Sequence, residues 1–385
     1  MKLSKRVNNM DGSGIRKIAD LSSKYDDKIS FTIGEPDFTA SYDVVEEAYK
    51  AMREGKTKYT SNEGIIELRE AICKDLHLEL GVKYDPNREI IVTVGGMGSL
   101  YIAFLAILDE GDEVIVSNPY WSNYTDIIEM CGGRPVLVNV KEEDNFTYNP
   151  EDIKKVISEK TRAIIINSPA NPTGGIASKE ILKEIADICK NHNLIVVSDE
   201  VYRSIIFDNH KHTSIASIEG MKERTIVVNS FSKEYAMTGW RLGYSAAPAQ
   251  LVGAMCKLQE NIVGCAVESN QYAGVKALQS AKSYSKAMTE EYEKRRNYIL
   301  ERMENMDKIS CIKPKGTFYA FINIKKTGYS SEEFAIKLLN EKQVVVVPGN
   351  AFGSGGEGYI RLSFATSMES IKKGFDRIEE FLETL

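Results

Sequence analysis

The hydrophobic positions in the middle of the chain fall into short, continuous, β-branched runs separated by stretches with helical spacing. The runs lie at 90–94, 113–116, 135–140, 163–166, 194–197 and 225–228. Most are apolar at every position rather than at alternate ones, which predicts strands buried on both faces of a mainly parallel sheet. Between two of them, Ser178 is placed to cap a helix whose Ile181, Ile185, Ile188 and Cys189 share one face. Residues 98–108 and 124–131 also read as helices, the second ended by Gly132-Gly133. Past about residue 283 the pattern changes. A long charged helix over 283–306 leads into runs at 317–324, 344–347 and 359–364, then a final amphipathic helix over 367–382. That mixture suits a smaller α+β unit. The first forty or so residues show no core of their own and are expected to pack onto it. The expected division is a large domain at 46–284 and a small domain from 1–45 and 285–385.

Composition narrows the function. A length of 385 residues is long for a single core. A net charge of −6 leaves no surplus of cations for phosphates, which argues against nucleic acid or an anionic membrane as the main partner. The start of the chain is too polar for a signal peptide and no run approaches membrane-spanning length, so a cytoplasmic protein is expected. The six cysteines are scattered without a CxxC pair, as for reduced thiols. His210 and His212 bracket Lys211 but have no carboxylate cluster beyond Asp208; a solvated loop is expected there, and no metal site.

Ligands of open α/β sheets bind outside the carboxyl ends of the strands, and the unusual polar residues here directly follow the apolar runs. After 90–94 comes Gly95-Gly96-Met97-Gly98-Ser99, a glycine-rich turn entering a helix, where free N–H groups favour an anion. Trp121, one of two tryptophans, follows 113–116 and can stack on a planar ring. Asn171 sits in a stiff Pro/Asn/Gly turn after 163–166, and Asp199 ends the next buried run, where an acid is costly without a positive partner. Ser230-Phe231-Ser232-Lys233 follows the run at 225–228, with Arg241 close behind. A lysine amine can form a Schiff base with an aldehyde cofactor, and hydroxyls with an arginine can hold a phosphate. Alone, Lys233 would read as a surface lysine beside an ordinary turn.

Taken together these segments resemble the class I/II aminotransferases, fold-type I pyridoxal-phosphate enzymes, in their bacterial aspartate/aromatic branch. The resemblance runs nearly end to end: Ile33-Gly34-Glu35-Pro36-Asp37-Phe38, Tyr59-Thr60 with Gly64 and Leu68-Arg69, Asn171-Pro172-Thr173-Gly174, the lysine segment, and Pro348-Gly349 to Arg361-Leu362-Ser363-Phe364 fit in order and spacing. It implies an α/β fold with a seven-stranded, mainly parallel sheet in the large domain and a small α+β domain built from both termini. It also implies bound pyridoxal 5'-phosphate and a ping-pong exchange of amine between an L-amino acid and a 2-oxo acid. A C–S lyase, or another pyridoxal-phosphate reaction on the same fold, is the alternative, because the same lysine serves all of them.

Residue by residue, the resemblance implies that Lys233 carries the cofactor and moves the substrate proton. Asp199 keeps the pyridine nitrogen protonated, while Tyr202 and Asn171 bond the ring oxygen. Trp121 stacks on the ring, and Gly96, Met97, Ser230, Ser232 and Arg241 hold the phosphate. Arg361 grips the substrate carboxylate, assisted by Gly34 and Asn171. Tyr59 matches a tyrosine that reaches the neighbouring subunit's phosphate, implying a homodimer with shared sites. Met97 stands where the aspartate-using branch commonly has a lysine facing the distal carboxylate. Ser13-Gly14-Ile15, at the border of the side-chain pocket, adds no cation, although Arg16 is close. A neutral aliphatic or aromatic amino acid is therefore expected as the substrate, with glutamate and 2-oxoglutarate as the exchange pair if Arg16 or another mobile cation swings in.

Overall fold

The computed structural model describes residues 3, 4, 7 and 14–385, without the side chains of Ile15 and Arg16. Ser13 and those two side chains, expected at the pocket border, thus lie outside the described residues. Seven strands form the main sheet: β1 (Ile90–Thr93), β2 (Glu113–Asn118), β3 (Arg134–Asn139), β4 (Thr161–Asn167), β5 (Ile195–Asp199), β6 (Thr225–Ser230) and β7 (Gly243–Ala246). Their order is β1-β7-β6-β5-β4-β2-β3, and only β7 runs against its neighbours. The continuous apolar runs have a direct cause. Successive side chains point to opposite faces, and both faces are covered. Ile165, Val197, Ile226 and Val228 pack with Leu100 and Phe104 of the helix Gly95–Ile107 on one side. Ile164, Ile166 and Val196 pack with Leu182, Ile185 and Cys189 of the helix Lys179–Asn191 on the other. Strand β3 is the exception. It lies at the sheet edge, is partly exposed and carries Pro135, whose missing N–H is tolerated there.

A second, antiparallel sheet holds β8 (Ser310–Cys311), β9 (Tyr319–Asn323), β10 (Val347–Pro348) and β11 (Tyr359–Ser363) in the order β10-β11-β9-β8. The N-terminal chain joins it. Ile29 and Ser30 pair with Val344 and Val345, and Ser363 N donates to Phe31 O at 2.8 Å. Ile18 and Phe31 share a core with Phe334, Leu338, Phe375 and Phe381, as expected of a segment without its own core.

Some boundaries differ from expectation. The helix expected at 98–108 begins at Gly95, whose φ of +70° favours glycine and starts the turn without a separate loop. The run at 344–347 divides into two short pairings, one with the N-terminal chain and one with β11. Strand β7 was not anticipated, because its Gly-Tyr-Ser-Ala sequence lacks a β-branched run. His210 is exposed as expected, but the His212 side chain is not solvated. It is 6% exposed, with Nε2 3.0 Å from Glu200 Oε2, because the buried Glu200 carboxylate draws it inward. Among the described residues no group of side chains could hold a metal ion, and no helix is long and apolar enough to cross a membrane.

Candidate active site

The carboxyl ends of β5 and β6 and the start of the helix Gly95–Ile107 open onto one cavity of about 400 Å³, closed from the other side by residues 32–35 and by Arg361 of β11. Gly34, Gly96, Met97, Trp121, Asn171, Asp199, Tyr202, Ser230, Ser232, Lys233, Arg241 and Arg361 all line it. Tyr59 does not. It is 92% exposed, outside this cavity.

One end of the cavity is built for an anion. Ser230 caps the short helix Phe231–Glu234, accepting from Ser232 N at 3.0 Å and donating to Ser232 Oγ at 2.7 Å. The first turn of the helix Gly95–Ile107 lies against it. A Cβ on Gly96 would sit 3.6 Å from Ser230 Cβ, and one on Gly95 only 2.6 Å from Arg241 Nη2. Glycine thus lets free N–H groups, two hydroxyls and a guanidinium converge. Arg241, itself in left-handed backbone at φ 53°, is held by Nη1 donating to Thr238 O at 2.7 Å.

Lys233 follows on that short helix, and its Nζ donates to Gly34 O. Burial pulls its pKa down from 10.5 to about 8, since the ammonium is cut off from water while Arg361 and Arg241 repel it. Asp199, 4% exposed, ends β5. Its Oδ2 accepts from Tyr124 Oη at 2.6 Å and its Oδ1 from Val201 N at 3.2 Å. Burial lifts its pKa from 3.8 to about 6, against the lowering effect of those two bonds. Tyr202 lies beyond it, with its hydroxyl 3.0 Å from that of Tyr319.

Arg361 is 2% exposed. Its Nη1 donates to Asn171 Oδ1 at 3.0 Å and Nη2 to Thr32 O at 2.9 Å, while Nε has no partner. The guanidinium lies between two rings, 4.3 Å from the Tyr319 centroid and 4.8 Å from that of Phe352. Among the described residues no carboxylate pairs with it, and no cation pairs with Asp199. Burial lowers the Arg361 pKa. One cavity therefore holds a buried cation and a buried anion, each without a counter-ion. A ligand with a carboxylate at one point and a protonated ring nitrogen at another would satisfy both.

These residues fit pyridoxal phosphate by the chemistry of their donors: an amine for the aldehyde, an acid for the pyridine nitrogen, an aromatic wall at Trp121 and an anion cradle. Trp121 itself is braced edge-on by Tyr124, centroids 5.2 Å apart. Sequence reasoning missed Tyr124 and Tyr319. Tyr124 follows Trp121 by three residues, its N–H donating to Trp121 O at 3.0 Å, a turn spacing that could have pointed to it. Tyr319 gave no local signal, for its place depends on pairing with β11.

The family model "Aminotransferase class I and II" matches residues 26–378. Aspartate aminotransferase of Pyrococcus abyssi is 45% identical, covering 99% of this chain and 98% of that protein. Aromatic-amino-acid aminotransferase 2 of Thermococcus litoralis is 43% identical over 100% of this chain and 99% of its own. The structure of aspartate aminotransferase from Thermus thermophilus with maleate superposes with a TM-score of 0.94 at 35% identity, covering 100% of both chains.

Proposed function

This chain belongs to the class I and II aminotransferases and works with pyridoxal phosphate; on that premise we propose that its characteristic donor is a neutral aliphatic or aromatic L-amino acid. The observation that carries this reading is the buried Arg361 facing a wall on which, among the described residues, no further cation stands free for a side-chain carboxylate. A guanidinium has five N–H groups, and two are used by Asn171 and Thr32. The rest can take an α-carboxylate in two-point fashion. The side-chain end would meet Met97, Leu100, Trp121 and Ile33, with the Glu35 carboxylate on the same lining. A distal carboxylate there would be desolvated without compensation, whereas an apolar group would be buried favourably.

The roles proposed for the other residues carry over from the family resemblance, and their places around one cavity support them. When bound, pyridoxal phosphate supplies an electron sink for the bond being broken at the substrate Cα. Lys233 would remove and return the Cα proton, and burial, which brings its pKa down to about 8, favours the neutral amine this task needs. Asp199 holds a proton on the pyridine nitrogen, and Tyr124 and the Val201 N–H keep its carboxylate oriented. Tyr202 and Asn171 bond the ring oxygen, and Trp121 covers a ring face. Ser230, Ser232, Arg241 and the N–H groups of Gly96 and Met97 hold the phosphate.

A homodimer with shared sites is part of the same proposal. Tyr42, Val45, Tyr49 and Met52 form an exposed apolar stripe along the helix Tyr42–Arg53, with Val263 and Val267 also exposed. A second copy covering this surface would give Tyr59 a partner across the interface. Aspartate is the competing donor. The test compares kcat/KM for aspartate, glutamate, alanine, leucine, methionine and phenylalanine with a common acceptor. Aspartate ahead of every neutral donor by about tenfold or more would refute the neutral-donor reading.

A further inference from the structure

Tyr319 touches two working parts of the site at once. It opens β9 and, two residues from Phe321, shares that residue's face of the sheet; Phe321 is the direct partner of Arg361 in the register. The Tyr319 ring therefore reaches the guanidinium diagonally, at 4.3 Å. Its hydroxyl stands 3.0 Å from that of Tyr202, and both phenols are buried. Residues 32–35 close over it so tightly that a Cβ on Gly34 would lie 2.8 Å from Tyr319 Oη. Among the described residues the Tyr202 oxygen is the hydroxyl's hydrogen-bond partner.

Proton counting then sets a direction. Each phenol has one proton to donate. If Tyr202 gives its proton to the cofactor's ring oxygen, the 3.0 Å contact survives only with Tyr319 as the donor. We propose that Tyr319 is a positioning residue: its hydroxyl donates to Tyr202 and so commits Tyr202 to the ring oxygen, while its ring face fixes the plane of Arg361. This rests on the reading that Tyr202 bonds that oxygen. A phenol that is itself accepting a hydrogen bond is a stronger donor. Without Tyr319 Oη, the Tyr202 hydroxyl can turn away and its bond weakens. With cofactor bound, a ring oxygen deprived of that bond would keep more negative charge, and the group titrating beside Lys233 would hold its proton more tightly.

The experiment is a pH titration of the visible absorbance of the holoenzyme, with 3-phenylpropionate binding measured alongside. Tyr319→Phe keeps the ring and loses the hydroxyl. Its titration midpoint should rise by about 0.5 unit, with 3-phenylpropionate affinity within about twofold of the parent. Tyr319→Leu should show the same rise and bind the carboxylate about tenfold more weakly, because the ring beneath Arg361 is gone. Tyr202→Phe should raise the midpoint further, and adding Tyr319→Phe to it should change nothing more. An unshifted midpoint in Tyr319→Phe, with Tyr202→Phe shifted, overturns the proposal. So does an equal Tyr319→Phe shift with and without the Tyr202 hydroxyl. An unshifted Tyr202→Phe would instead refute the underlying placement of Tyr202. Should Tyr319→Leu fail to fold, Tyr319→Phe carries the test.

Discussion

Arg361→Met should separate activity from stability in a way ordinary core substitutions do not. In the parent the guanidinium is 2% exposed and, among the described residues, has no carboxylate partner. A substrate carboxylate would form two charge-assisted bonds to it, each contributing about 1.5–3 kcal/mol. Losing both removes about 3–6 kcal/mol from transition-state binding, or roughly 10²–10⁴ in kcat/KM. The ligand-free protein responds differently. It loses the bonds to Asn171 Oδ1 and Thr32 O and the contacts with two rings. It also sheds the desolvation cost of a lone buried charge, an effective penalty of several kcal/mol. These terms nearly cancel, so the melting temperature should stay within about 3 °C of the parent. Saturating 3-phenylpropionate should raise the melting temperature of the parent but not of the variant. Steady-state kinetics and thermal melts, each with and without that ligand, make the comparison. A loss in kcat/KM below about tenfold, or a ligand-induced stabilisation that survives in Arg361→Met, would refute the reasoning.

Lys233→Ala should fold and lose turnover by several orders of magnitude; substantial activity without added amine would sink the mechanism. In the cofactor-free protein, the rate of pyridoxal phosphate incorporation should climb with pH up to about 8 and then level, and a rise continuing to 10.5 would place the amine in water instead. Because the folded pKa lies below the unfolded value, the unfolded chain binds more protons between about 8 and 10.5, so the Lys233 contribution to stability rises with pH across that window, by about 3 kcal/mol. Asp199→Asn should retain cofactor by absorbance yet lose about a hundredfold or more in kcat, since an amide cannot hold the pyridinium charge. Mixing inactive Lys233→Ala and Tyr59→Phe chains should, after subunit exchange, restore sites carrying neither defect; no gain in activity over the parent dimers would count against sharing.

What was legible in the sequence follows from how local each signal is. Strand β4 and its neighbours could be read because burial on two faces writes itself into every position of the run. That Lys233, Asp199 and Asn171 line one cavity could be read because each stands just past such a run, where the fold brings side chains together at the strand ends. Strand β7 escaped because its small residues are dictated by contact with the helix start: a Cβ on Gly243 would fall 2.6 Å from Gly95 C. Tyr319 escaped for a similar reason, since its meaning comes from Arg361, which pairs with Phe321 two residues along. His212 misled because an adjacent charged residue and a loop-like sequence hide the buried carboxylate that holds it.

Residues 32–35 clasp the site through their backbone, taking Lys233 at Gly34 O and Arg361 at Thr32 O across 199 and 329 residues of chain. Translated into time, that clasp orders the assembly of the molecule. The entropy of closing so long a loop grows only with the logarithm of its length, so the cost in stability is modest. The delay is not, because contacts of high sequence separation form late. The cradle around Ser230 and Arg241 depends on the main sheet, while the Arg361 clamp must wait for the two distant segments to meet. The expectation is that the grip on the substrate forms after the grip on the cofactor, and pulsed hydrogen exchange during refolding would test it by comparing the amides of β6 with those of residues 31–35.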